Sequence, residues 1–422
     1  MSLSSVWHPF TQHALMPEMT KIDRAEGAYL YTEDGRQIID AISSWWVVTH
    51  GHCHPHLIKS AQNQAGKLDQ VIFAGHTHEP AEQLAAALID LTPVGLDKVF
   101  YSDSGSTAVE VALKMALGYW HHVGEKQRTR IVVMEHSYHG DTIGTMSIGE
   151  RGVFNAPYDP LLFDVDVLPY PEPGVEYKTT QALELILSDH KNKVAALIIE
   201  PLVLGAGGMK MYDPSVLKDL KKICETQDVV FIADEVMTGW GRTGTQFACT
   251  QAGIVPDILC TSKGLTGGLL PLAATLCHQR FFDAHYSPDR SRMFFHSSSY
   301  TANPIACAVG YANTQIWRDE PVQDRIDNLV QAQALRLANL KGHSGFSNLR
   351  QCGTIAALDV NVGDQGYLSE IAPKLYDYFQ NNDVLLRPLG NTVYILPPYC
   401  VTEADLDKIY HVISNAPDVL GL

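Results

Sequence analysis

The chain is poor in basic side chains and gathers them nowhere. Its 422 residues include 31 lysines and arginines against 47 acidic residues, which gives a formal net charge of −16 at pH 7. A nucleic-acid partner would require basic clusters that neutralise phosphates. We therefore expect no such partner, and we attribute the acidity mostly to solubility.

Long apolar runs and paired cysteines are also missing. The longer apolar stretches, at 194–199 and 269–277, fall far short of the roughly 20 residues that cross a bilayer. The eight cysteines are spread without paired spacing, which indicates reduced and mostly buried thiols. No basic flank with a following apolar segment opens the sequence. We expect a cytosolic protein that has no membrane association.

What the chain does have is an alternation of apolar and amphipathic segments, for example 194–199 followed by 215–226. Such alternation is typical of an α/β fold whose mostly parallel sheet is wrapped by helices, with ligands at the carboxyl ends of the strands. With 45% hydrophobic residues, the chain can build a large core and a smaller companion domain. We predict a large domain at 45–317 and a small α/β domain formed jointly by 1–44 and 318–422.

Two functional side chains each follow an apolar segment. Asp234 comes after 229–233, and Lys263 comes shortly after 258–260 and enters the glycine-containing segment 264–268. A buried carboxylate can keep the ring nitrogen of pyridoxal phosphate protonated, and a free lysine amine can form a Schiff base with its aldehyde and then move protons. The pair suggests a site for this electron-sink cofactor. A solvated lysine and a turn-capping aspartate are the ordinary alternatives.

A candidate phosphate cradle lies between two predicted elements. Segment 102–106 separates a strand at 98–101 from a helix that starts near Thr107. Backbone N–H groups at that helix N-terminus, around Gly105, and the Ser106 hydroxyl can bind a dianion. An ordinary N-cap is the alternative.

An aromatic ring stands at another strand end, because Tyr138 follows the apolar segment 131–134. Its ring could stack on the flat face of a cofactor. A buried structural tyrosine is the alternative.

Three short motifs carry a resemblance that covers nearly the whole chain: ADEV at 233–236, GRTG at 241–244 and SKG at 262–264. At this spacing they resemble the class III pyridoxal-phosphate aminotransferases. SSWW at 43–46 and WHPFT at 7–11 resemble one branch, the adenosylmethionine-8-amino-7-oxononanoate aminotransferases of biotin synthesis. The resemblance implies a fold-type I transferase, whose small domain comes from both ends of the chain.

The same resemblance implies further cofactor contacts. Tyr138 and Val236 would cover the two faces of the ring. Where relatives usually show glycine, then proline or serine, then threonine, this chain has Ser297, Ser298 and Ser299. The threonine hydroxyl reaches the phosphate of the neighbouring subunit, so Ser299 is its counterpart, Ser298 adjoins the cofactor, and a homodimer with interfacial active sites is expected. Ser297 would contact substrate. Ser297 in place of glycine and Ser298 in place of proline could change the geometry of the loop and so this substrate contact. A solvated serine loop is the alternative.

A substrate end is implied as well. Arg387 could grip a carboxylate bidentately, while Trp45, Trp46 and Tyr138 would line an apolar channel for the chain of an oxo-amino acid. An exposed arginine and core tryptophans are the alternatives. Phe10 stands where many members of the branch carry a tyrosine whose hydroxyl helps to orient both substrates, so this departure bears on donor recognition.

The implied activity is ping-pong transamination at Lys263, which would take an amino group from S-adenosylmethionine or lysine and deliver it to 8-amino-7-oxononanoate, giving 7,8-diaminononanoate. Two other hypotheses stay open. A class III enzyme acting on an ω-amino acid would share Asp234 and Lys263 without needing Trp45 and Trp46. A non-catalytic pyridoxal-phosphate binding protein would hold the cofactor but convert no amine.

Four histidines and a cysteine cluster in a turn and invite a metal-site interpretation: His50, His52, Cys53, His54 and His56. Their ligand types suit zinc, but they alternate through a Gly- and Pro-punctuated turn whose spacing matches no familiar zinc frame. We expect no metal.

Overall fold

The computed structural model of the protein describes residues 5–16, 18–364 and 366–422. Residues 1–4 and 17 of the predicted segment 1–44, and residue 365 of 318–422, lie outside the described residues.

A seven-stranded sheet forms the centre of the molecule. Its spatial order is β4-β12-β11-β10-β7-β5-β6. The strands are β4 (Lys98–Ser102), β5 (Arg130–Met134), β6 (Asp166–Leu168), β7 (Val194–Ile199), β10 (Val230–Asp234), β11 (Ile258–Thr261) and β12 (Ala273–Cys277). All neighbours pair in parallel except β12, which runs antiparallel to both β11 and β4. The mostly parallel sheet predicted from the alternating segments is confirmed.

The central strands of this sheet are buried on both faces, as is typical of parallel sheets that helices cover. Every residue of β7, β10, β11 and β12 is buried. Their sequences are therefore continuous apolar runs rather than alternating ones, which is why the runs were visible in the sequence.

Helices cover the sheet and continue around the smaller sheets. They are α2 (Pro55–Ala65), α3 (Glu79–Leu91), α4 (Gly105–His122), α5 (Ile143–Ser147), α6 (Tyr177–Asp189), α7 (Pro214–Thr226), α8 (Ala248–Ala252), α9 (Gln279–His285), α10 (Pro304–Asp319), α11 (Val322–Asn339), α12 (Ile371–Asn381) and α13 (Glu403–Leu420). A four-residue turn, α1 (Ser43–Trp46), precedes them, and the φ/ψ values of Ser44 and Trp45 within it are not those of an α-helix. Short 3₁₀ turns lie at Ala156–Leu161, Lys263–Thr266 and Arg290–Arg292.

Three smaller sheets complete the fold. Their strands are β1 (Ile22–Glu26), β2 (Tyr29–Thr32), β3 (Gln37–Asp40), β8 (Val203–Leu204), β9 (Lys210–Met211), β13 (Phe346–Cys352), β14 (Ile355–Val360), β15 (Val384–Leu385) and β16 (Thr392–Ile395). They form the orders β1-β2-β3-β15, β13-β14-β16 and β8-β9. β15 pairs in parallel with β3, so two distant parts of the chain share one sheet.

Two long helices meet near the predicted domain boundary at 317/318. α10 continues through Asp319, and α11 begins at Val322. Pro321 stands between them and, having no N–H group and a restricted preceding residue, separates the two helices. The predicted domain boundary at 317/318 therefore falls within the last turn of α10.

Among the described residues, no helix combines the length and the apolarity that crossing a membrane would demand.

Truncating a central strand side chain should destabilise the fold strongly. Leu197 in β7 has no exposed surface, so Leu197→Ala should lower the free energy of unfolding by about 2–5 kcal/mol because it leaves a cavity. Leu335 on α11 is 65% exposed, and Leu335→Ala should change that free energy by less than about 0.5 kcal/mol. Urea denaturation of both variants measures the difference; equal losses would contradict the assignment of the core.

Candidate active site

Asp234 is a buried carboxylate at the carboxyl end of the central strand β10, and it is only 5% exposed. Its Oδ2 lies 2.7 Å from Nδ1 of His139, and its Oδ1 accepts a hydrogen bond from the backbone N–H of Val236. The other ring nitrogen of His139, Nε2, is buried without a partner among the described residues. The imidazole therefore orients the carboxylate and leaves it available for a further donor.

Lys263 reaches the same edge of the sheet from the neighbouring strand. β10 and β11 are parallel, Asp234 pairs with Cys260, and Lys263 follows shortly after the end of β11. The Lys263 Nζ lies 4.7 Å from the centre of the Trp46 ring. Desolvation by the surrounding protein lowers the pKa of Lys263 to about 8, although the charges of Asp234 and Glu200 act in the opposite direction. The neutral amine is therefore a minor but substantial fraction near physiological pH, roughly a tenth at pH 7, whereas an ordinary lysine has almost none.

The backbone at Lys263 is strained, with a φ of 45° for a residue that carries a Cβ. The loop that follows it packs closely against another part of the site. At Gly268 the φ is +91°, and a Cβ there would come within 2.7 Å of the Val47 carbonyl oxygen. Glycine is needed at this position because the loop after Lys263 lies directly on the backbone that follows Trp46.

Asp234, Lys263 and Trp46 form the cluster at the centre of the site. The N-terminus of α4 lies next to this cluster, against Val236. Ser104 caps the helix by accepting a hydrogen bond from the Thr107 N–H, so the N–H groups of Gly105 and Ser106 stay open, with no acceptor among the described residues. A Cβ at Gly105 would come within 2.6 Å of Val236 Cγ1, so the absence of a side chain permits the contact with the residue two positions after Asp234. Two open N–H groups at a helix N-terminus can hold an anion.

Tyr138 lies beside the cluster and is partly buried. Its hydroxyl donates a hydrogen bond to Asp141 Oδ2 at 2.9 Å, and its backbone N–H donates one to Glu200 Oε1 at 2.9 Å. Burial, followed by the nearby charge of Asp141, raises the pKa of Tyr138 far above its usual value. The phenol is therefore neutral and acts as a donor and as a flat apolar surface.

The paired tryptophans are held by an unusual turn. Four consecutive residues without glycine, α1, have φ values of 52°, 55°, 110° and 71°. Asp40 supports this turn, because its side chain accepts hydrogen bonds from the N–H and the hydroxyl of Ser44 and lies 2.8 Å from His52 Nε2. Left-handed backbone costs about 1–2 kcal/mol per residue, so these contacts offset several kcal/mol of strain.

A group of packed aromatic side chains extends from this turn: Phe10, Trp45, Phe154 and Tyr367. The rings of Phe10 and Trp45 meet edge to face at 5.6 Å, and Phe10 meets Phe154 at 6.0 Å. Arg387 lies 5.4 Å from the Trp45 ring centre and donates a hydrogen bond to the Phe10 carbonyl at 2.7 Å. Tyr367 contacts Phe154 at 4.4 Å. The structure thus brings together Phe10, Trp45 and Arg387. Trp46 is the next residue after Trp45 in the chain.

A cavity of about 760 Å³ opens next to Tyr138. It lies between the loops that follow β5 and β8 and those of the β13-β14-β16 sheet, and Asp141, Phe154 and Tyr367 line its wall. The cavity is large enough for a substrate of ordinary metabolite size.

The three serines are not joined to this cluster. Ser297 Oγ donates to the carbonyl of Ser298, the Ser298 N–H donates to Thr301 Oγ1, and the Ser299 carbonyl accepts from Gln70 Nε2 at 2.6 Å. Within the described residues of one chain, none of these bonds reaches Asp234 or Lys263.

The four histidines of the turn at 50–56 do not converge on a common point, and each contacts a different partner. His50, His52, His54 and His56 contact, respectively, Asn313, Asp40, Glu320 and Gln315. Across the part of the chain that the structure describes, no group of three or more His, Cys, Asp or Glu side chains is placed to hold a metal ion.

Sequence reasoning missed Asp40, His139 and Glu200. Glu200 could have been found, because it follows the apolar run of β7 as Asp234 completes that of β10. His139 adjoins Tyr138, but nothing in the sequence indicates its contact with Asp234. Asp40 is recognisable only once the turn of α1 is known.

Comparison with known proteins places the chain among aminotransferases. The family model "Aminotransferase class-III" matches residues 11–416. The adenosylmethionine-8-amino-7-oxononanoate aminotransferase of Synechococcus elongatus is 45% identical over 98% of both chains. The crystal structure of the enzyme of that name from Methanocaldococcus jannaschii matches with a TM-score of 0.93 and 32% identity, covering 98% of this chain and 97% of the other. A PLP-bound amine transaminase from an uncultivated Pseudomonas species matches with a TM-score of 0.92 and 30% identity over 98% of both chains.

Neutralising Asp234 should make Lys263 less basic. The Asp234 charge raises the Lys263 pKa, so Asp234→Asn should move that pKa below its present value of about 8. Reductive methylation of the cofactor-free protein at several pH values, followed by peptide mass analysis, gives the midpoint for Lys263. Asp377→Asn on the exposed face of α12 is the matched control and should leave the midpoint in place. An unmoved midpoint in Asp234→Asn would show that the two groups are not coupled.

Proposed function

The chain belongs to the class III aminotransferases, and we propose that it transfers an amino group to 8-amino-7-oxononanoate to form 7,8-diaminononanoate, a step of biotin biosynthesis, with S-adenosylmethionine as the donor. The observation that carries the proposal is the shared position of the buried Asp234 carboxylate and the weakly basic Lys263 amine at one sheet edge. The acceptor and the donor are inferred from the relatives that bear this enzyme name over their full length.

Pyridoxal phosphate is the cofactor of this family, and the residues present fit it. Asp234, steadied by His139, would hold the ring nitrogen in its protonated form. The open N–H groups of Gly105 and Ser106 would hold the phosphate. The cofactor supplies an aldehyde that bonds covalently to amines and a ring that withdraws electrons.

Tyr138 and Val236 would bound the two faces of the cofactor ring, and Lys263 would bind its aldehyde. A Lys263 pKa of about 8 leaves both the neutral and the protonated amine populated near neutral pH. A group with that pKa can take a proton from a donor carbon and return one elsewhere in the same cycle. Lys263 would thus serve as the general base and the general acid.

The substrate end would be formed by Arg387 and the aromatic group beside it. The guanidinium can bind a carboxylate with two parallel hydrogen bonds, while Trp45 and Phe10 cover the apolar chain of the acceptor. Trp46 follows Trp45 directly in the chain, and its ring lies 4.7 Å from the Lys263 Nζ. The Arg387 contact with the Phe10 carbonyl fixes the guanidinium before substrate arrives.

A second candidate is the transfer of an amino group from an ω-amino acid. It is favoured by Phe10, which offers no hydroxyl to the donor, and by solved structures of amine and omega transaminases with TM-scores of 0.92. The same reaction with lysine as the donor is a variant of the first proposal.

We further propose that the enzyme is a homodimer, located in the cytoplasm, whose small domain comprises residues 1–44 and 318–422. Ser298 and Ser299 make no contact with the cluster of their own chain within the described residues, so their hydroxyls would complete the phosphate site of a second copy, with Ser297 near its substrate. The pairing of β3 with β15 supports the joint small domain. The eight free cysteines support the reducing compartment.

Amine-dependent conversion of the bound cofactor tests the enzymatic function. The holoenzyme should lose its visible absorbance when mixed with S-adenosylmethionine and regain it with 8-amino-7-oxononanoate, with 7,8-diaminononanoate identified by mass. Lys263→Ala should reduce both rates by a factor of about 10³ or more, because the base and the covalent anchor are both lost.

The donor panel includes lysine and several ω-amino acids. Conversion by ω-amino acids without product from the oxononanoate would favour the second candidate. A stable visible band with every amine would reduce the protein to a cofactor binder.

Complementation between subunits tests the role of Ser299. Ser299→Ala alone should weaken cofactor affinity severalfold, whereas Ser188→Ala on the exposed face of α6 should not. A mixed dimer of Lys263→Ala and Ser299→Ala chains should recover one site with wild-type cofactor affinity, because the intact lysine and the intact serine meet across the boundary. Failure to recover such a site, or a monomer in sedimentation analysis of the active enzyme, would refute the arrangement.

A further inference from the structure

Glu200 is a buried carboxylate that the proposed mechanism does not use. It directly follows the last residue of β7 and is 5% exposed. A carboxylate at such a position costs free energy unless hydrogen bonds compensate it.

The two oxygens of Glu200 bind two separate loops. Oε1 accepts from the backbone N–H of Tyr138 at 2.9 Å, and Oε2 accepts from the backbone N–H of Gly205 at 3.0 Å. Both partners are donors, so only a group that accepts through both oxygens satisfies them together.

The second loop supports the tryptophan that adjoins Lys263. A Cβ built on Gly205 would come within 3.2 Å of Trp46 Cζ3 and 3.0 Å of Met237 Cε, which shows that this backbone packs against the Trp46 ring. That ring in turn lies 4.7 Å from the Lys263 Nζ. A shift of the Gly205 loop would therefore move one wall of the site.

We propose that Glu200 is a positioning residue for the transamination reaction: its ionised carboxylate ties the Tyr138 loop to the Gly205 loop and so keeps Tyr138 and Trp46 in place around Lys263. The inference rests on the proposed function, which it deepens. Glu200 touches neither substrate nor cofactor in this role and acts through the two loops.

The charge of Glu200 depends on groups that reach it from several elements. These are His139 and Tyr138 after β5, Tyr212 after β9, Asp234 in β10 and Lys263 after β11. Burial raises the pKa of Glu200 to about 7; His139 and the two backbone N–H groups act against that rise, and Asp234 adds to it. The tie therefore weakens as the pH falls through about 7, because a protonated carboxyl keeps only one good acceptor.

The raised pKa also has a consequence for stability. Since the folded protein holds this proton more tightly than the unfolded chain, whose reference value is 4.5, the contribution of Glu200 is present below pH 4.5 and is lost as the pH rises to about 7. A glutamine cannot titrate and has no such dependence.

The test uses Glu200→Gln, which keeps the shape but presents an NH₂ group to one of the two N–H donors. In the cofactor-free protein, reductive methylation should place the Lys263 midpoint below about 8, since the Glu200 charge raises that pKa. In the holoenzyme, the rate of the donor half-reaction at pH 8 should fall about tenfold or more, and the loss of rate between pH 8 and pH 6 should shrink. The free energy of unfolding, relative to wild type, should rise between pH 5 and pH 8.

Glu235→Gln is the matched control. Glu235 is a fully buried carboxylate that also accepts two backbone N–H bonds, from Ala248 at 2.7 Å and Cys249 at 2.8 Å, but those donors belong to α8. This variant should lose stability while keeping the pH profile of the half-reaction and the Lys263 midpoint. Glu200→Asp, which keeps the charge but is one methylene shorter, should keep the Lys263 midpoint and lose rate.

Two results would overturn the inference: a Glu200→Gln enzyme with the wild-type pH profile and rate, or a Glu235→Gln enzyme with the same changes. If the wild-type holoenzyme converts no amine, the proposed function fails instead. The methylation midpoint would still report whether the Glu200 charge acts on Lys263. The pH dependence of unfolding would still report whether Glu200 titrates near pH 7.

Discussion

The burial of ionisable groups at one edge of the seven-stranded sheet is the constraint on which the site depends. β7 and β10 are parallel neighbours with wholly buried residues, and they deliver Glu200 and Asp234 to the same edge. Buried acids are tolerated only where hydrogen bonds compensate them. Asp234 has His139, and Glu200 has two backbone N–H groups. The same desolvation that requires these partners lowers the pKa of Lys263 into the range where an amine can exchange protons.

Burial therefore links fold and chemistry more directly than any single contact does. A solvated lysine would stay almost wholly protonated near neutral pH and would attack an aldehyde far more slowly. Lys263 avoids that outcome because it leaves β11 into a tight turn against Trp46 and the backbone at Val47. Burial of the amine and the positive φ of Lys263 both cost stability, and both accompany the position in which the amine is reactive.

The sequence predicted those features that depend on local patterns. Continuous apolar runs identified the strands of the parallel sheet, and the residues at their carboxyl ends, Asp234 and Tyr138, followed from that. The α4 N-terminus was also predictable, although the helix begins at Gly105 rather than near Thr107.

The features it could not predict arise from contacts between distant segments. A run of four positive φ values without glycine in α1 is contrary to local preference and exists because Asp40 and its neighbours hold it. The contact of Arg387 with Phe10 joins residues 377 positions apart. Ser297 to Ser299 could not be tested in the same way, because within the described residues of one chain their hydrogen bonds do not reach Asp234 or Lys263.

The pairing of β3 with β15 sets a schedule for the nascent protein. The residues that brace the tryptophan turn leave the ribosome early, yet the neighbouring strand of β3, Val384–Leu385, is synthesised more than 340 positions later. At about 5–20 residues per second, that strand edge waits on the order of tens of seconds for its partner. During this interval its unpaired N–H and C=O groups are open to pairing with other chains. A newly made chain therefore completes this sheet only after a delay in which it can aggregate through the open edge of β3. Chaperone binding would be most useful during that interval.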